Sequence, residues 1–255
     1  MKVTLLTHTN EPEKIIAAAA NLCYSGKADV DSLLESLTPE AVGKLIDKLI
    51  SMGHESPFEH SSFTFAIEGV SRAFLAQISR HRVGVSLSVM SQRYVSMEKF
   101  ETLMPVAIKN KDEARILYRS IEADVKTAYQ KMQEMGIKNE DARAILMNAQ
   151  ECRMILTANV RALWHLANER MCVRAQSEIR AVVTEMIRQC REVAPALFRN
   201  AGPKCVKGFC PEGKMSCGKA PTMDVLLKVY TDALLKNHRE RNMEDSLEKM
   251  VTHES

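Results

Sequence analysis

Residues 63–94, FTFAIEGVSRAFLAQISRHRVGVSLSVMSQRY, contain the sharpest changes of pattern in the chain. Apolar residues at alternate positions from Phe63 to Ile67 are typical of a half-buried strand, which Gly69 ends. Apolar residues at helical spacing follow, and the run from Arg80 onward lacks a clear apolar period. The stretch therefore predicts a strand and a helix that lead into an irregular polar segment.

The residues before this stretch predict a strand and two helices. KVTLLT at 2–7 reads as a strand, and Pro12 opens a helix rich in alanine. Thr38 is a suitable N-cap for a second helix, with Pro39 in its first position and Gly53 at its end.

The residues after it alternate between helical and extended patterns. The apolar spacing predicts helices over 111–135, 139–147, 160–170, 179–193 and 222–235, and a buried strand over 152–158. Residues 200–220 are rich in Gly, Pro and Lys and read as irregular. We therefore predict one α/β domain over residues 1–220 and a helical, charged C-terminal extension over 221–255.

Composition excludes several classes of protein. The chain has 255 residues, of which 45% are hydrophobic and 26% charged, with a net charge of +3, so disorder and a required nucleic-acid partner are not expected. No apolar run reaches the roughly 20 residues that span a membrane, and the first residues are too short in their apolar part for a signal peptide. Seven cysteines favour free thiols in a reducing compartment, so we expect a cytoplasmic protein without a membrane partner.

The densest polar cluster is Arg80-His81-Arg82, which hydroxyl and amide side chains and a further arginine follow as far as Arg93. Guanidinium and hydroxyl donors suit a phosphate, although a solvated basic loop is the commoner meaning of such a triplet. No G-x-G-x-x-G or G-x-x-x-x-G-K-[ST] motif occurs, so the sequence predicts neither a Rossmann nor a P-loop site.

Three further groups could carry chemistry. HESPFEH at 54–60 combines imidazoles and carboxylates, which could bind a metal or transfer protons, but it lacks the H-E-x-x-H spacing, and helix capping is the simpler meaning. Arg161 and His165 are four residues apart and share one face of the predicted helix, and Arg170 lies at the helix end, where it could reach a ligand. An ordinary amphipathic helix would show the same pattern.

The third group is a set of three thiols in the irregular segment, Cys205, Cys210 and Cys217. Their C-x4-C-x6-C spacing supplies only three of the four ligands that structural zinc requires, so a loop with free thiols is the default expectation.

Together these segments resemble the flavin-dependent thymidylate synthases. The resemblance covers about residues 1–220, and its most specific part is an R-H-R motif followed by a serine. It rests on the segments 54–60, 63–82, 91–94 (SQRY) and 159–170 (NVRALWHLANER), and residues 201–219 are similar to the C-terminal part of some members.

The resemblance implies an enzyme that methylates dUMP to dTMP. Methylenetetrahydrofolate would be the carbon donor, NADPH the reductant, and FAD the cofactor, which this family holds without a Rossmann motif. The implied fold is α/β, with a central sheet flanked by helices, assembled as a homotetramer with active sites between subunits. The family uses no enzyme thiol as nucleophile, so none of the cysteines needs that role.

The resemblance also assigns residues to roles. Arg170 would favour the ionised uracil imide, and His54 would lie beside flavin and folate; no metal ligand is implied. The implied flavin contacts are Ser56, Arg80, His81, Arg82, Val83, Asn159, Arg161 and His165. The implied dUMP contacts are Gln77, Arg80, Ser91, Gln92, Arg93, Arg143 and Arg170.

This sequence departs from the family pattern at two points. Eight residues instead of seven separate Arg82 from Ser91, so either the loop bulges by one residue or positions 83–88 shift. Val89 also replaces a common Glu or Gln, which removes a polar contact near the ligands.

Two alternative functions remain open at this stage. One is a metal-dependent phosphohydrolase that uses His54, Glu59, His60 and His81. The other is a module in which the basic loop and the cysteine segment bind RNA, although the near-neutral net charge and the lack of interleaved aromatic residues disfavour it.

Overall fold

The fold is built around a four-stranded antiparallel sheet. The computed structural model describes residues 1–24, 26, 29–208 and 210–218. The strands are Lys2–His8 (β1), Ser62–Ser71 (β2), Val85–Val89 (β3) and Glu151–Asn159 (β4), in the order β1-β2-β4-β3. The α/β class with a sheet and helices is therefore confirmed.

The helices of the described residues occupy the connections between the strands and the region after β4. They are Pro12–Leu22 (α1), Val30–Glu35 (α2), Pro39–Met52 (α3), Arg72–Ile78 (α4), Val106–Lys109 (α5), Asp112–Glu134 (α6), Asn139–Ala142 (α7), Val160–Arg170 (α8), Ser177–Val193 (α9) and Pro195–Phe198 (α10). Shorter 3₁₀ turns cover Ser56–His60, Arg143–Ile145, Lys204–Lys207 and Gly213–Met215. None of these helices is long and apolar enough to cross a membrane.

The main core lies on one face of the sheet. Alternate side chains of β2 and β4, such as Phe65 and Leu156, are fully buried, and α4, α8 and α9 pack against these strands. A smaller apolar cluster around Met97, Phe100 and Tyr129 joins the loop after β3 to α6. The sheet and the helices of the main core thus form the rigid support for the polar segment that follows Arg80.

The two ends of α3 follow the predicted capping residues. The Thr38 hydroxyl accepts a hydrogen bond from the amide of Ala41 at 3.3 Å, and Gly53 ends α3 with φ of 70°. Asn159 caps α8, which spans the predicted residues 160–170. These boundaries confirm the helix starts and stops predicted from the sequence.

Three details differ from the prediction. The segment after Arg82 contains β3, whose Val85, Leu87 and Val89 alternate with serines over too short a run to stand out. Its register with β4 is unbroken, so no bulge within β3 absorbs the extra residue before Ser91. The helix predicted over 139–147 is α-helical only to Ala142 and then tightens into a 3₁₀ turn.

The third difference concerns α6. The helix exists where the spacing predicts it, but Leu117 and Ile121 on its apolar face are 63% and 46% exposed, while Tyr118 and Tyr129 are buried. The helix predicted over 222–235 and the extension over 221–255 lie outside the described residues.

Candidate active site

The turn between α4 and β3 packs against the start of α8. Gly84, at the end of this turn, has φ of 68°, and a Cβ there would lie 2.6 Å from the Asn159 side chain. The Asn159 amide donates to the Gly84 carbonyl at 3.0 Å, and its side-chain oxygen accepts from the Ala162 amide at 2.8 Å. Only glycine fits this close approach, which brings residues 80–83 beside α8.

His81, His165 and Arg170 meet on one side of α8. Arg170 Nε donates to His81 Nε2 at 2.9 Å, and the rings of His81 and His165 lie 5.4 Å apart, edge to face. Burial and the positive charge of Arg170 lower the pKa of His81 to about 4. His81 is therefore neutral at pH 7, with its proton on Nδ1, because a guanidinium can only donate.

The contact with His81 orients Arg170 and leaves most of its guanidinium available. Among the described residues, the two terminal nitrogens of Arg170 have no hydrogen-bond partner. The neighbouring Glu169 pairs with Lys204 at 2.6 Å, and this ion pair ties the last turn of α8 to the segment after α10. Arg170 is thus a half-buried cation, held at one nitrogen and able to form a paired contact with a ligand.

The residues around this group are open to solvent. Arg80, Arg82 and Val83 are exposed, and neither arginine has an acidic partner among the described residues. At the end of α4, the Gln77 amide donates to the Ala73 carbonyl at 3.1 Å and to the side-chain oxygen of Gln176. The sequence patterns give no sign of Gln176, because it contacts Gln77 only through the fold.

The resemblance assigns Arg161 to the flavin, but in this chain its guanidinium is already paired with two carboxylates. Its Nε and one terminal nitrogen bond the carboxylates of Glu55 and Glu59 at 3.1 and 2.5 Å. Trp164 also packs against Phe58 of the same 3₁₀ turn, with ring centres 4.4 Å apart and ring planes tilted by 49°. These contacts fasten the turn to α8.

His54 and Ser56 stand at the edge of this fastened turn. His54 follows α3 and Ser56 opens the 3₁₀ turn, and both are exposed. Among the described residues of one chain, no hydrogen bond or ring contact joins either side chain to His81, so the fold of a single chain does not bond them to the His81 group.

The remaining predicted substrate residues form a second group. Arg93 bonds the Glu140 carboxylate at 2.9 and 3.1 Å, and Arg143 donates to the Glu140 carbonyl at 3.0 Å. Ser91 accepts from the Arg93 amide, and the Gln92 amide donates to the side chain of Gln150, which is fully buried. Glu140 and Gln150 carry no motif, so sequence reasoning missed both.

The two groups lie at opposite ends of β3. Val85 pairs with Ala158 near the start of α8, whereas the Met90 amide bonds the Arg153 carbonyl at the far end of β4. The strand alone separates them by roughly 14 Å. Within the described residues of one chain, no hydrogen bond or ion pair joins them.

Comparison with known proteins identifies the family of this constellation. The family model described as "Thymidylate synthase complementing protein" matches residues 4–196. The flavin-dependent thymidylate synthase of Geobacter sulfurreducens is 44% identical over 230 residues, which cover 89% of this chain and 98% of that protein. The chain belongs to the flavin-dependent thymidylate synthase family. The enzyme class and the flavin cofactor that the resemblance implies are confirmed.

A second family member and two solved structures are also similar to this chain. The flavin-dependent thymidylate synthase of Clostridium tetani is 43% identical over 246 residues, covering 90% of this chain and 97% of that protein. The fold matches that of the Helicobacter pylori enzyme complexed with FAD and dUMP, with a TM-score of 0.63 and 21% identity over 79% of this chain and all of that one. It also matches a UMP/dUMP methylase from Streptomyces cacaoi, with a TM-score of 0.65 and 23% identity over 78% of this chain and 93% of that one.

The alternative functions gain no support from these comparisons. The phosphohydrolase hypothesis also meets a structural objection, because Arg161 engages the carboxylate of Glu59. Among the described residues, no group of three His, Cys, Asp or Glu side chains is arranged to hold a metal ion.

Proposed function

We propose that this flavin-dependent thymidylate synthase converts dUMP to dTMP with methylenetetrahydrofolate as carbon donor and NADPH as reductant. The observation that carries the proposal is the bond between Arg170 and the neutral His81. It sets a permanent cation beside the R-H-R turn with its terminal nitrogens available for a ligand. Such a cation suits a uracil ring whose imide must lose its proton.

Arg170 acts on the uracil in this proposal. A fixed guanidinium next to the imide stabilises the anionic ring, and this raises electron density at the carbon to be methylated. His81 accepts a hydrogen bond from Arg170 Nε and so fixes the plane of the guanidinium group. A neutral imidazole can do this because it does not repel the cation. Gln77 and Arg80, close to this group along the chain, complete the ring-binding half.

The flavin fits the donors around the same turn. Arg80 and Arg82 are exposed guanidiniums that no acidic side chain of the described residues pairs with, which suits a diphosphate, and the 88% exposed Val83 offers an apolar surface for a ring. The proposed flavin site also includes Ser56, His81, Asn159 and His165. Arg161 would support it by holding the 3₁₀ turn that carries Ser56, beside His54. When bound, FAD carries the reducing equivalents that NADPH supplies.

The second group would bind the substrate phosphate. Ser91, Gln92, Arg93 and Arg143 offer hydroxyl, amide and guanidinium donors on one short segment and the neighbouring 3₁₀ turn. Glu140 holds Arg93 in place, and the buried Gln150 holds Gln92. A phosphate that meets two arginines gains the charge pairing that fixes its position.

A homotetramer would bring the two groups together. In one chain the two groups stand roughly 14 Å apart along β3. In the proposed assembly, the second group of another subunit would therefore complete the ring-binding half. The exposed apolar face of α6, with Leu117 and Ile121, supplies a surface for such contacts. The unit that assembles would be the domain over residues 1–220.

The cysteines agree with this chemistry. Burial raises the pKa of Cys152 to about 11 and that of Cys190 well above its ordinary value, so both are protonated and poor nucleophiles. Free thiols are present at Cys23, Cys152, Cys172, Cys190, Cys205 and Cys210, which fits the reducing cytoplasm that we propose as the site of action.

An anaerobic assay tests the proposal. Purified protein with FAD should show a flavin spectrum that bleaches on addition of NADPH, and with dUMP and methylenetetrahydrofolate it should release dTMP. A protein that binds FAD and is reduced but forms no dTMP from dUMP would contradict the proposed substrate. A colourless protein that does not bind added FAD would contradict the cofactor site.

A further inference from the structure

The start of α9 holds α4 at both ends. At the beginning of α4, the Ser71 amide and hydroxyl both donate to the Glu178 carboxylate, each at 2.6 Å. The same hydroxyl accepts from the Phe74 amide at 3.0 Å and so caps α4. At the end of α4, the Gln77 side chain donates to the side-chain oxygen of Gln176. The short helix is therefore fixed against α9, and its last turn is joined to it through Gln77.

The Gln176 side chain bonds α4 instead of its own helix. Gln176 is the N-cap of α9, and its backbone carbonyl accepts from the Arg180 amide at 3.0 Å. Polar side chains at an N-cap commonly bond the first amides of the helix, but the exposed side chain of Gln176 makes no such bond. Among the described residues, its one side-chain hydrogen bond is the one that it accepts from Gln77. The side chain therefore serves α4 and not the helix that it begins.

The Gln77 amide has its nitrogen occupied and its oxygen available. The nitrogen carries two hydrogens, of which one meets the Ala73 carbonyl at 3.1 Å and the other meets Gln176. Among the described residues, no hydrogen bond reaches the Gln77 side-chain oxygen. Gln77 therefore offers a ligand an acceptor whose direction is set by two bonds to the protein.

A second hydrogen bond joins the same two segments of the chain. His81, four residues after Gln77, accepts from Arg170, which lies six residues before Gln176. Residues 77–81 and 170–176 are therefore tied together twice, by the bond from Gln77 to Gln176 and by the bond from Arg170 to His81. Gln176 thus lies at the edge of the ring-binding half of the proposed site.

We propose that Gln176 is a positioning residue for the nucleotide, which holds the Gln77 amide with its oxygen as an acceptor for dUMP. A free glutamine side chain loses rotamer freedom when a ligand orders it, and this loss weakens binding. The bond to Gln176 orders Gln77 before dUMP arrives, so the loss occurs on folding and not on binding. The inference deepens the proposed function and rests on it, because it takes dUMP as the nucleotide.

Calorimetric titration of the full-length, FAD-loaded protein with dUMP tests the inference. Gln176→Met keeps the length of the side chain but removes the amide oxygen, so it should weaken dUMP binding about fivefold to tenfold and leave FAD binding unchanged. In turnover, its KM for dUMP should rise while kcat stays within about twofold of the wild-type value. The matched control Ser177→Met, at the exposed neighbouring residue, should bind dUMP and FAD as the wild type does.

A double variant separates positioning from a loss of folding. Gln77→Ala should weaken dUMP binding at least as much as Gln176→Met, and the two substitutions together should be no worse than Gln77→Ala alone, because Gln176 acts through Gln77. Effects that multiply, a Gln176→Met protein that binds dUMP as the wild type does, or one that loses dUMP and FAD together would overturn the inference. The titration needs no turnover, so protein that shows this coupling but forms no dTMP would contradict the proposed function alone, and wild-type protein that does not bind dUMP would contradict both.

Discussion

In the proposed mechanism, the chemistry depends most on Arg170. We expect Arg170→Ala to lower the rate of dTMP formation at least a hundredfold, because the charge that stabilises the uracil anion is lost, while the flavin remains bound. Arg170→Lys should recover little, since an ammonium cannot bond His81 and the substrate in the same plane. The assay is steady-state dTMP formation alongside the flavin spectrum.

The matched control for Arg170 is Arg115→Ala, which removes an exposed arginine that pairs with Asp112 on α6. It should leave the rate unchanged. Loss of flavin from Arg170→Ala would instead move Arg170 to the cofactor site.

His81 should remain neutral through the physiological range. Its pKa in the folded protein is about 4, below the ordinary value of about 6.5. As pH falls from about 6.5 towards 4, the unfolded chain takes up the proton first, so the contribution of His81 to the free energy of unfolding decreases and the bond to Arg170 is lost near pH 4. NMR of labelled histidine measures this directly, and titration of His81 near 6.5 would contradict its placement beside Arg170.

The sequence identifies the residues expected to contact ligands better than it identifies the residues that hold those side chains in place. Arg170, His81 and His165 are visible in motifs, and the structure brings them together. Glu140 and Gln150, which hold Arg93 and Gln92, lie far away in the chain and share no spacing with them. Only the packed fold places such partners, so no local pattern reveals them.

Among the elements, the junction between β3 and α8 does most to shape the site. Gly84→Ala should lower the free energy of unfolding by about 1–3 kcal/mol, because it combines a positive φ with a contact of 2.6 Å to the Asn159 side chain. Gly43→Ala within α3 has nothing within 4 Å and should be neutral or stabilising. Urea unfolding compares them, and an equal effect of both substitutions would contradict the role of Gly84.

Helices were easier to predict than the strand at the sheet edge. α8 appears where its apolar spacing predicts it, since that signal is local. β3 is short and lies among arginines and serines, and its pairing with β4 across more than sixty residues decides its conformation. The function of the R-H-R segment was thus clearer from the sequence than its structure.

For the whole molecule, the exposed face of α6 predicts an assembly surface. Replacing both Leu117 and Ile121 with lysine should shift the protein from the proposed tetramer to smaller species in analytical ultracentrifugation, because the charges oppose burial of that face. Met52→Lys, at another exposed apolar residue in α3, is the control and should leave the mass unchanged. A tetramer that survives the double substitution would place the contact elsewhere.

In the proposed enzyme, each thymidylate site combines the Arg170 group of one chain with the Arg93 group of another. Co-expression of Arg170→Ala and Arg93→Ala chains tests it most directly, because each variant alone should be inactive, whereas mixed tetramers contain some sites with both arginines. Random pairing predicts recovery of roughly a quarter of the wild-type rate of dTMP formation. Two differently tagged Arg170→Ala chains should recover nothing, and mixed Arg170→Ala and Arg93→Ala tetramers that remain inactive would contradict a site shared between subunits.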